Sequence, residues 1–298
     1  MIEVRVPAST ANIGSGFDCF GIALSLYNKI RVSETENGLI IKNYNSDEYI
    51  PTDDKNLIYR SVIRVFEEVG YEKRGLIISQ KSEIPMTRGL GSSSACVIGG
   101  LLAGNAISGR KLDTQRIFEL ASELEGHPDN AAPALFGGFC ISCKDSEGLY
   151  RQTVRIPRGI KFVAMVPHYY VATKKSRMLI PDKVSAADAA FNLAHAASFV
   201  QAMASGNFEH LNIFTKDRLH QSYRKEMVPD MDFVFEKSLE NGAKAVFLSG
   251  SGPTVIAIAD ENDENFKNAM HTIFEKNNIE RSCTELYADN VGAVMRTF

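Results

Sequence analysis

Apolar positions recur along the chain in two rhythms. Residues 2–6, Ile-Glu-Val-Arg-Val, alternate apolar and charged like a strand, and Pro7 is expected to end it. Residues 23–32, 38–44 and 75–80 carry strand-like apolar content. Between the second and third of these, Leu57, Ile58, Val62, Ile63, Val65, Phe66 and Val69 return at the 3.6-residue helical period, with Asp54-Lys-Asn56 before them and Gly70 after. Residues 112–125 read as a second amphipathic helix starting at Asp113 or Thr114. Beyond residue 160 the pattern predicts a strand at 161–167, a long helix at 185–204 and helical segments over 208–241 broken near Pro229. Two apolar strands follow within 243–259, then a helix at 261–277 and strands within 283–296. The elements alternate without the regular beat of about 30 residues that βαβ units require, so the pattern predicts an α+β architecture. There is no internal repeat or low-complexity tract.

One stretch breaks both rhythms. From Ile84 to Ile107 the chain reads Ile-Pro-Met-Thr-Arg-Gly-Leu-Gly-Ser-Ser-Ser-Ala, followed by an apolar run rich in small residues. It predicts a short loop feeding a buried helix. Gly89 and Gly91 leave the backbone able to take positive φ and to approach a ligand, and Ser92, Ser93 or Ser94 can cap the helix. Unpaired first-turn N–H groups at the positive end of the helix dipole suit a phosphate. A solvated Gly/Ser linker is the plainer reading, but linkers do not open directly onto an apolar helix. The loop matches neither standard nucleotide fingerprint: no Lys-Ser/Thr follows Gly91, and Ser94 stands where a dinucleotide loop has its third glycine.

Composition narrows the setting. The chain has 298 residues, 44% hydrophobic and 23% charged, enough for one large or two moderate domains. A net charge of −3 offers no global attraction to nucleic acid or anionic lipid, so an anionic substrate must be met by local groups such as Arg88. The N-terminus lacks the apolar core of a signal peptide, and the longest apolar run, broken by glycines, is too short to span a membrane. A cytoplasmic protein with neither nucleic-acid nor membrane partners is expected. Five cysteines, with a single Cys140-x-x-Cys143 in an apolar segment and no second pair, read as core residues.

Two further segments hold polar chemistry. Ala8 to Asp18 reads as a Gly-bearing loop in which Asn12 and Asp18 lie where backbone can approach a substrate. Glu125, His127, Asp129 and Asn130 fall within six positions. A turn built on Gly126, Pro128 and Pro133 would account for that composition by itself. Carboxylates beside a phosphate loop would instead serve Mg²⁺-nucleotide, because Mg²⁺ takes few protein oxygens. Adjacency of the two segments is not written in the sequence.

Taken together, Pro-Ala-Ser-Thr-Ala-Asn-Ile-Gly-Ser-Gly-Phe-Asp (7–18), Pro-Met-Thr-Arg-Gly-Leu-Gly-Ser-Ser-Ser-Ala (85–95) and Leu-Ser-Gly-Ser-Gly-Pro-Thr (248–254) resemble the three motifs of the GHMP small-molecule kinases. Within that superfamily, Glu125-Gly-His-Pro-Asp-Asn130 with Ala131-Ala-Pro-Ala, Thr173-Lys-Lys-Ser-Arg177 and Asp217-Arg-Leu-His-Gln-Ser-Tyr-Arg224 resemble the homoserine kinase family, over essentially the whole chain.

The resemblance implies a two-part α+β fold, 1–160 similar to ribosomal protein S5 domain 2 and binding ATP, 161–298 ferredoxin-like, with the active site between them. It implies ATP phosphates on Pro85, Met86, Thr87, Arg88, Gly89, Leu90, Gly91, Ser92, Ser93, Ser94 and Ala95, adenine near Asn56, and Mg²⁺ held by Ser93 or Ser94 and Glu125. The amino-acid pocket would be Asn12, Asp18, His127, Asp129, Asn130, Arg177, Arg224, Gly250 and Gly252. Arg177 and Arg224 would hold the carboxylate of L-homoserine, with Asp18 and Asp129 facing its ammonium. Phosphoryl transfer to its hydroxyl, a step toward threonine, would use Asp129, Asn130 and Arg88. Either Asp129 or Asn130 could face the hydroxyl, or no strong base be needed. Another GHMP kinase, acting on mevalonate or a sugar, and a non-catalytic sensor are the rival functions. Oligomeric state is left open, a homodimer being one option.

Overall fold

The computed structural model describes residues 1–44 and 49–298. The first half carries β1 (Ile2–Ala11), β2 (Phe20–Thr35), β3 (Leu39–Asn43), α1 (Leu57–Val69), β4 (Gly75–Ser82), α2 (Ser92–Ile107), α3 (Thr114–Glu125), α4 (Ala131–Phe136), β5 (Phe139–Lys144) and β6 (Leu149–Val154). The second half carries β7 (Ile160–Pro167), α5 (Thr173–Met178), α6 (Ala186–Ser205), α7 (Leu211–Phe214), α8 (Gln221–Arg224), α9 (Met231–Glu240), β8 (Ala245–Leu248), β9 (Val255–Asp260), α10 (Phe266–Lys276), β10 (Arg281–Leu286) and β11 (Val294–Thr297).

The described strands form two sheets. The larger runs β11-β1-β2-β4-β3, with β5 and β6 continuing from β2. The smaller is antiparallel in the order β10-β7-β9-β8. With α9 before β8 and α10 between β9 and β10, that is the ferredoxin-like arrangement, and the α+β class stands.

Local chemistry explains most element ends. Asn56 caps α1, its side-chain oxygen accepting from the N–H groups of Ile58 and Tyr59, and Gly70 closes the helix in the left-handed region. Asp113 caps α3 through the N–H of Arg116. The first strand departs from expectation. It does not stop at Pro7 but continues to Ala11, so 8–11 is sheet rather than loop. Pro7 sits at a register shift between its pairing with Tyr27 and that of Ala8 with Leu24, where a missing N–H is tolerated.

Strand β7 shows how the two halves are joined. All eight of its residues are buried, including Lys161, whose ammonium donates to Glu285 at 2.8 Å. Ile160, Phe162 and Ala164 face a core shared with the first sheet, while Val163 and Met165 face a second core beside α9 and α10. Both faces are covered, which is why the sequence from Phe162 to Pro167 reads as an unbroken apolar run. One cysteine expectation fails. Cys140 is buried but Cys143 is exposed, because an odd offset along β5 turns the two to opposite faces.

Candidate active site

The three glycine-bearing loops meet at one place. The N–H of Ser9 donates to Leu90 O at 3.1 Å, the Ser249 hydroxyl donates to Gly89 O at 2.5 Å, and the hydroxyls of Thr10 and Ser249 lie 2.8 Å apart. The Asn12 amide donates to Gly250 O at 2.9 Å, and the N–H of Gly250 to Ala11 O at 2.9 Å. Two glycines are demanded by this contact. A Cβ on Gly89 would stand 2.3 Å from Ser249 O, and one on Gly91 would stand 2.0 Å from the Ser9 hydroxyl, and both residues have positive φ.

Beside this junction lies a cleft of about 480 Å³. Its phosphate-loop wall is Met86, Thr87, Arg88, Gly89, Gly91, Ser92 and Ser93, followed by Cys96 on α2. None of the three serines caps α2. Gly91 is the cap residue, in the left-handed region and without a side-chain bond, so the first-turn N–H groups carry no side-chain cap. The serine hydroxyls turn elsewhere. Ser93 and Ser94 donate to the same oxygen of Glu125, at 2.8 and 2.5 Å, joining the N-terminal turn of α2 to the C-terminal end of α3. The adjacency that the sequence left open is thus present. Two hydroxyls and a carboxylate are a hard, oxygen-only set of the kind that Mg²⁺ accepts.

The opposite end of the cleft is charged. Asp18 and Arg177 form a bidentate pair, both bonds 2.7 Å and both side chains partly exposed. They were expected to take opposite ends of a substrate; here each takes the other. The Asp18 N–H is held at 2.9 Å by the Asn12 side-chain oxygen. His127 Nδ1 lies 2.5 Å from Asp129 Oδ1, which also accepts the Asn130 N–H at 2.9 Å. Burial disfavours charge on His127, but the Asp129 carboxylate outweighs it and raises the imidazole above its ordinary value. Asn130 Oδ1 accepts from the Ser9 hydroxyl at 2.9 Å. Arg224 is buried, and burial, reinforced by Arg177, lowers its pKa to about 10.

Most of the residues singled out from the sequence line this cleft: Asn12, Asp18, Asn56, Glu125, His127, Asp129, Asn130, Arg177, Arg224 and Gly250 all do. Pro85, Leu90, Ser94, Ala95 and Gly252 do not form its wall, and Leu90 and Ala95 belong to the core. The Asn56 side-chain oxygen caps α1 and one amide N–H goes to Pro51 O at 2.9 Å, while the residue lines the cleft. Arg88 donates to Pro167 O, Met86 O and His168 O at 2.8–3.1 Å, fastening the phosphate loop to the end of β7. A charged side chain in a Gly-rich loop invited the phosphate reading; beside Met86 O, the carbonyls of Pro167 and His168 that take it lie 79 and 80 residues away.

Several participants had no signal in the sequence. Ile50, Pro51, Leu57, Ile58 and Leu124 line the cleft as an apolar slot beside Gln80 and Cys96. Ser9 supports Asn130, and Phe17 lies under both Arg177 and Arg224, its ring centroid 5.5 and 5.3 Å from the guanidinium carbons. His220 was legible only by its helical spacing of four from Arg224.

A two-sheet α+β fold with three glycine loops meeting at a helix N-terminus that has no side-chain cap is the arrangement of the GHMP small-molecule kinases. Two family models agree: GHMP kinases N terminal domain matches residues 56–138, and GHMP kinases C terminal matches 199–276. The chain is 44% identical to the homoserine kinase of Caldicellulosiruptor bescii, covering 99% of this chain and 97% of that one. It is 42% identical to the homoserine kinase of Clostridium beijerinckii, covering 99% and 98%. The crystal structure of homoserine kinase from Cytophaga hutchinsonii superposes with a TM-score of 0.87 at 26% identity, covering 99% and 97%. A mevalonate kinase structure, at 15% identity and a TM-score of 0.71, shares the fold alone. The chain belongs to the homoserine kinase family.

Proposed function

We infer that the protein transfers the γ-phosphoryl group of ATP to the side-chain hydroxyl of L-homoserine. The observation that carries this reading is the pairing of an uncapped helix terminus with a charged pocket at the other end of one cleft. An amino-acid zwitterion needs cations and anions together, and Arg224, Arg177, Asp18 and Asp129 supply both. Mevalonate and sugars have no ammonium to match Asp18 and Asp129.

In this reading the α2 N-terminus and the glycines of 89–91 receive the phosphates, and the apolar slot receives the adenine. Mg²⁺, when bound, neutralises charge on the transferred phosphoryl group, and Ser93, Ser94 and Glu125 are the residues that would hold it. The Asp18–Arg177 pair exchanges partners with the zwitterion: Arg177 turns to the carboxylate and Asp18 to the ammonium, so no charge is left unpaired. Asp129 and Asn130 position the hydroxyl. Asp129 Oδ1 already accepts two hydrogen bonds and Asn130 Oδ1 accepts one, so both are held rigidly. A largely dissociative transfer asks for placement and charge neutralisation more than for a strong base.

The test is a coupled ADP-release assay with homoserine, mevalonate, galactose or no acceptor. Turnover with homoserine alone is expected. Turnover only with mevalonate or galactose refutes the amino-acid pocket, and turnover with none refutes catalysis.

A further inference from the structure

Arg224 is anchored at one end only. Both N–H groups of Nη1 have partners: Gly250 O at 2.8 Å and His220 Nδ1 at 3.1 Å. Nε is buried without a hydrogen-bond partner among the described residues. With Nη1 occupied and Nε shielded, Nη2 is the donor end left to meet a carboxylate in the cleft that Arg224 lines.

His220 is built to accept from an arginine. It is fully buried, and its Nε2 lies 2.8 Å from Gly14 O, an acceptor only, so Nε2 carries the proton. In the neutral ring Nδ1 is then an acceptor, as the Nη1 donor requires. A charged ring would set two cations and two donors face to face. The groups around it are few: Arg224 on its own helix, the Asp217 carboxylate 3.7 Å from Nε2, and the Phe17 ring stacked at 5.3 Å. Burial pushes the imidazole down to about 4, against the pull of Asp217. Asp217 accepts the N–H groups of His220 and Gln221 at 2.9 and 2.7 Å and is itself held by Asn192 of α6 at 2.8 Å. The start of α8 is thereby clamped, and His220 with it.

We propose that His220 is a positioning residue for Arg224: as the neutral Nε2–H tautomer it fixes Nη1 and so presents Nη2 to the carboxylate of the amino-acid substrate. The proposal rests on the reading of that substrate as homoserine.

Two variants separate this role from packing. In His220→Asn the side-chain oxygen stands near the place of Nδ1 and keeps the bond to Arg224; in His220→Gln the amide reaches the place of Nε2 and keeps only the bond to Gly14. The expected result is a KM for homoserine raised a few-fold in His220→Asn and more than tenfold in His220→Gln, with kcat and the KM for ATP near wild type in both. With homoserinol, which lacks the carboxylate, the two variants should be alike. An equal or reversed order, or a loss spread over ATP and kcat, overturns the proposal. Ring-nitrogen chemical shifts of His220 in the wild-type chain decide the matter even if a variant does not fold: a proton on Nε2 alone is required, and one on Nδ1 overturns it. Wild-type enzyme inactive on homoserine would refute the substrate reading instead, while the ring shifts still judge His220.

Discussion

Two histidines, His127 partly buried and His220 fully buried, are driven in opposite directions. His127 is raised above its ordinary 6.5 by Asp129 despite burial, and His220 is pushed down to about 4 by burial despite Asp217. The consequence for stability follows from which state binds more protons. Between about 4 and 6.5 the unfolded chain protonates His220 and the folded chain does not, so its contribution falls as pH drops through that window. His127 does the reverse: it stabilises most below its unfolded value and loses that contribution as pH rises through its folded one. NMR titration should show one imidazole with a midpoint above 6.5 and one still neutral at pH 5; two ordinary midpoints would refute both environments. At the same scale, Glu125→Gln keeps shape and removes the charge that a hard cation prefers. It should lower kcat and raise the Mg²⁺ needed for half-maximal rate, and an unchanged Mg²⁺ titration would move the ligand role elsewhere. Arg224→Met should raise the KM for homoserine about tenfold or more, since a charge-assisted bond of this kind contributes about 1.5–3 kcal/mol. Equal losses for homoserine and homoserinol would show that Arg224 does not bind the carboxylate.

Helix α1 and the loop before α2 show how an element shapes the end of the cleft proposed for the nucleotide. Asn56→Ala removes the cap of α1, costing about 1 kcal/mol, and should lower Tm by a few degrees with only a modest effect on ATP affinity. A large loss of ATP binding at unchanged Tm would show instead that Asn56 touches the adenine directly. Gly91 is different. A phosphate contact alone would allow Gly91→Ala to lose nucleotide while keeping its stability, but the added Cβ would stand 2.0 Å from the Ser9 hydroxyl at a φ of +68°. Calorimetry and thermal melting should therefore show ATP affinity and Tm falling together, and a wild-type Tm would contradict the packing described.

On the scale of the whole molecule, the two sheets are not independent. Strand β11, the last in the chain, pairs with β1, the first. Phe162, Phe199, Phe247 and Ile256 from the second half share one core with Val4, Phe20 and Phe139 from the first. A fragment ending at residue 160 would keep β2 beside β1 but lose β11 from its other edge, and would expose that apolar surface. It should fail to give a cooperative melt or dispersed amide resonances; a well-folded fragment would show that 1–160 is a domain in the strict sense.

The sequence by itself determined most element types, the start of α1 within 54–56 and of α3 at Asp113 or Thr114, the end of α1 at Gly70, and the loop-to-helix form of residues 84–107. These depend on periodicity and on residues within one turn of each other. The grouping of three motifs was legible only through resemblance. Tertiary structure decided what each polar side chain does, because a hydrogen-bond partner is chosen by whichever remote segment packs alongside. Asp18 meets Arg177 across 159 positions, Asn130 meets Ser9 across 121, and Ser93 meets Glu125 across 32. For the same reason Arg88 became a fastening between the 85–95 loop and β7, and His220, quoted within 217–224 but given no role from the sequence, came to hold the arginine at the far end of the cleft.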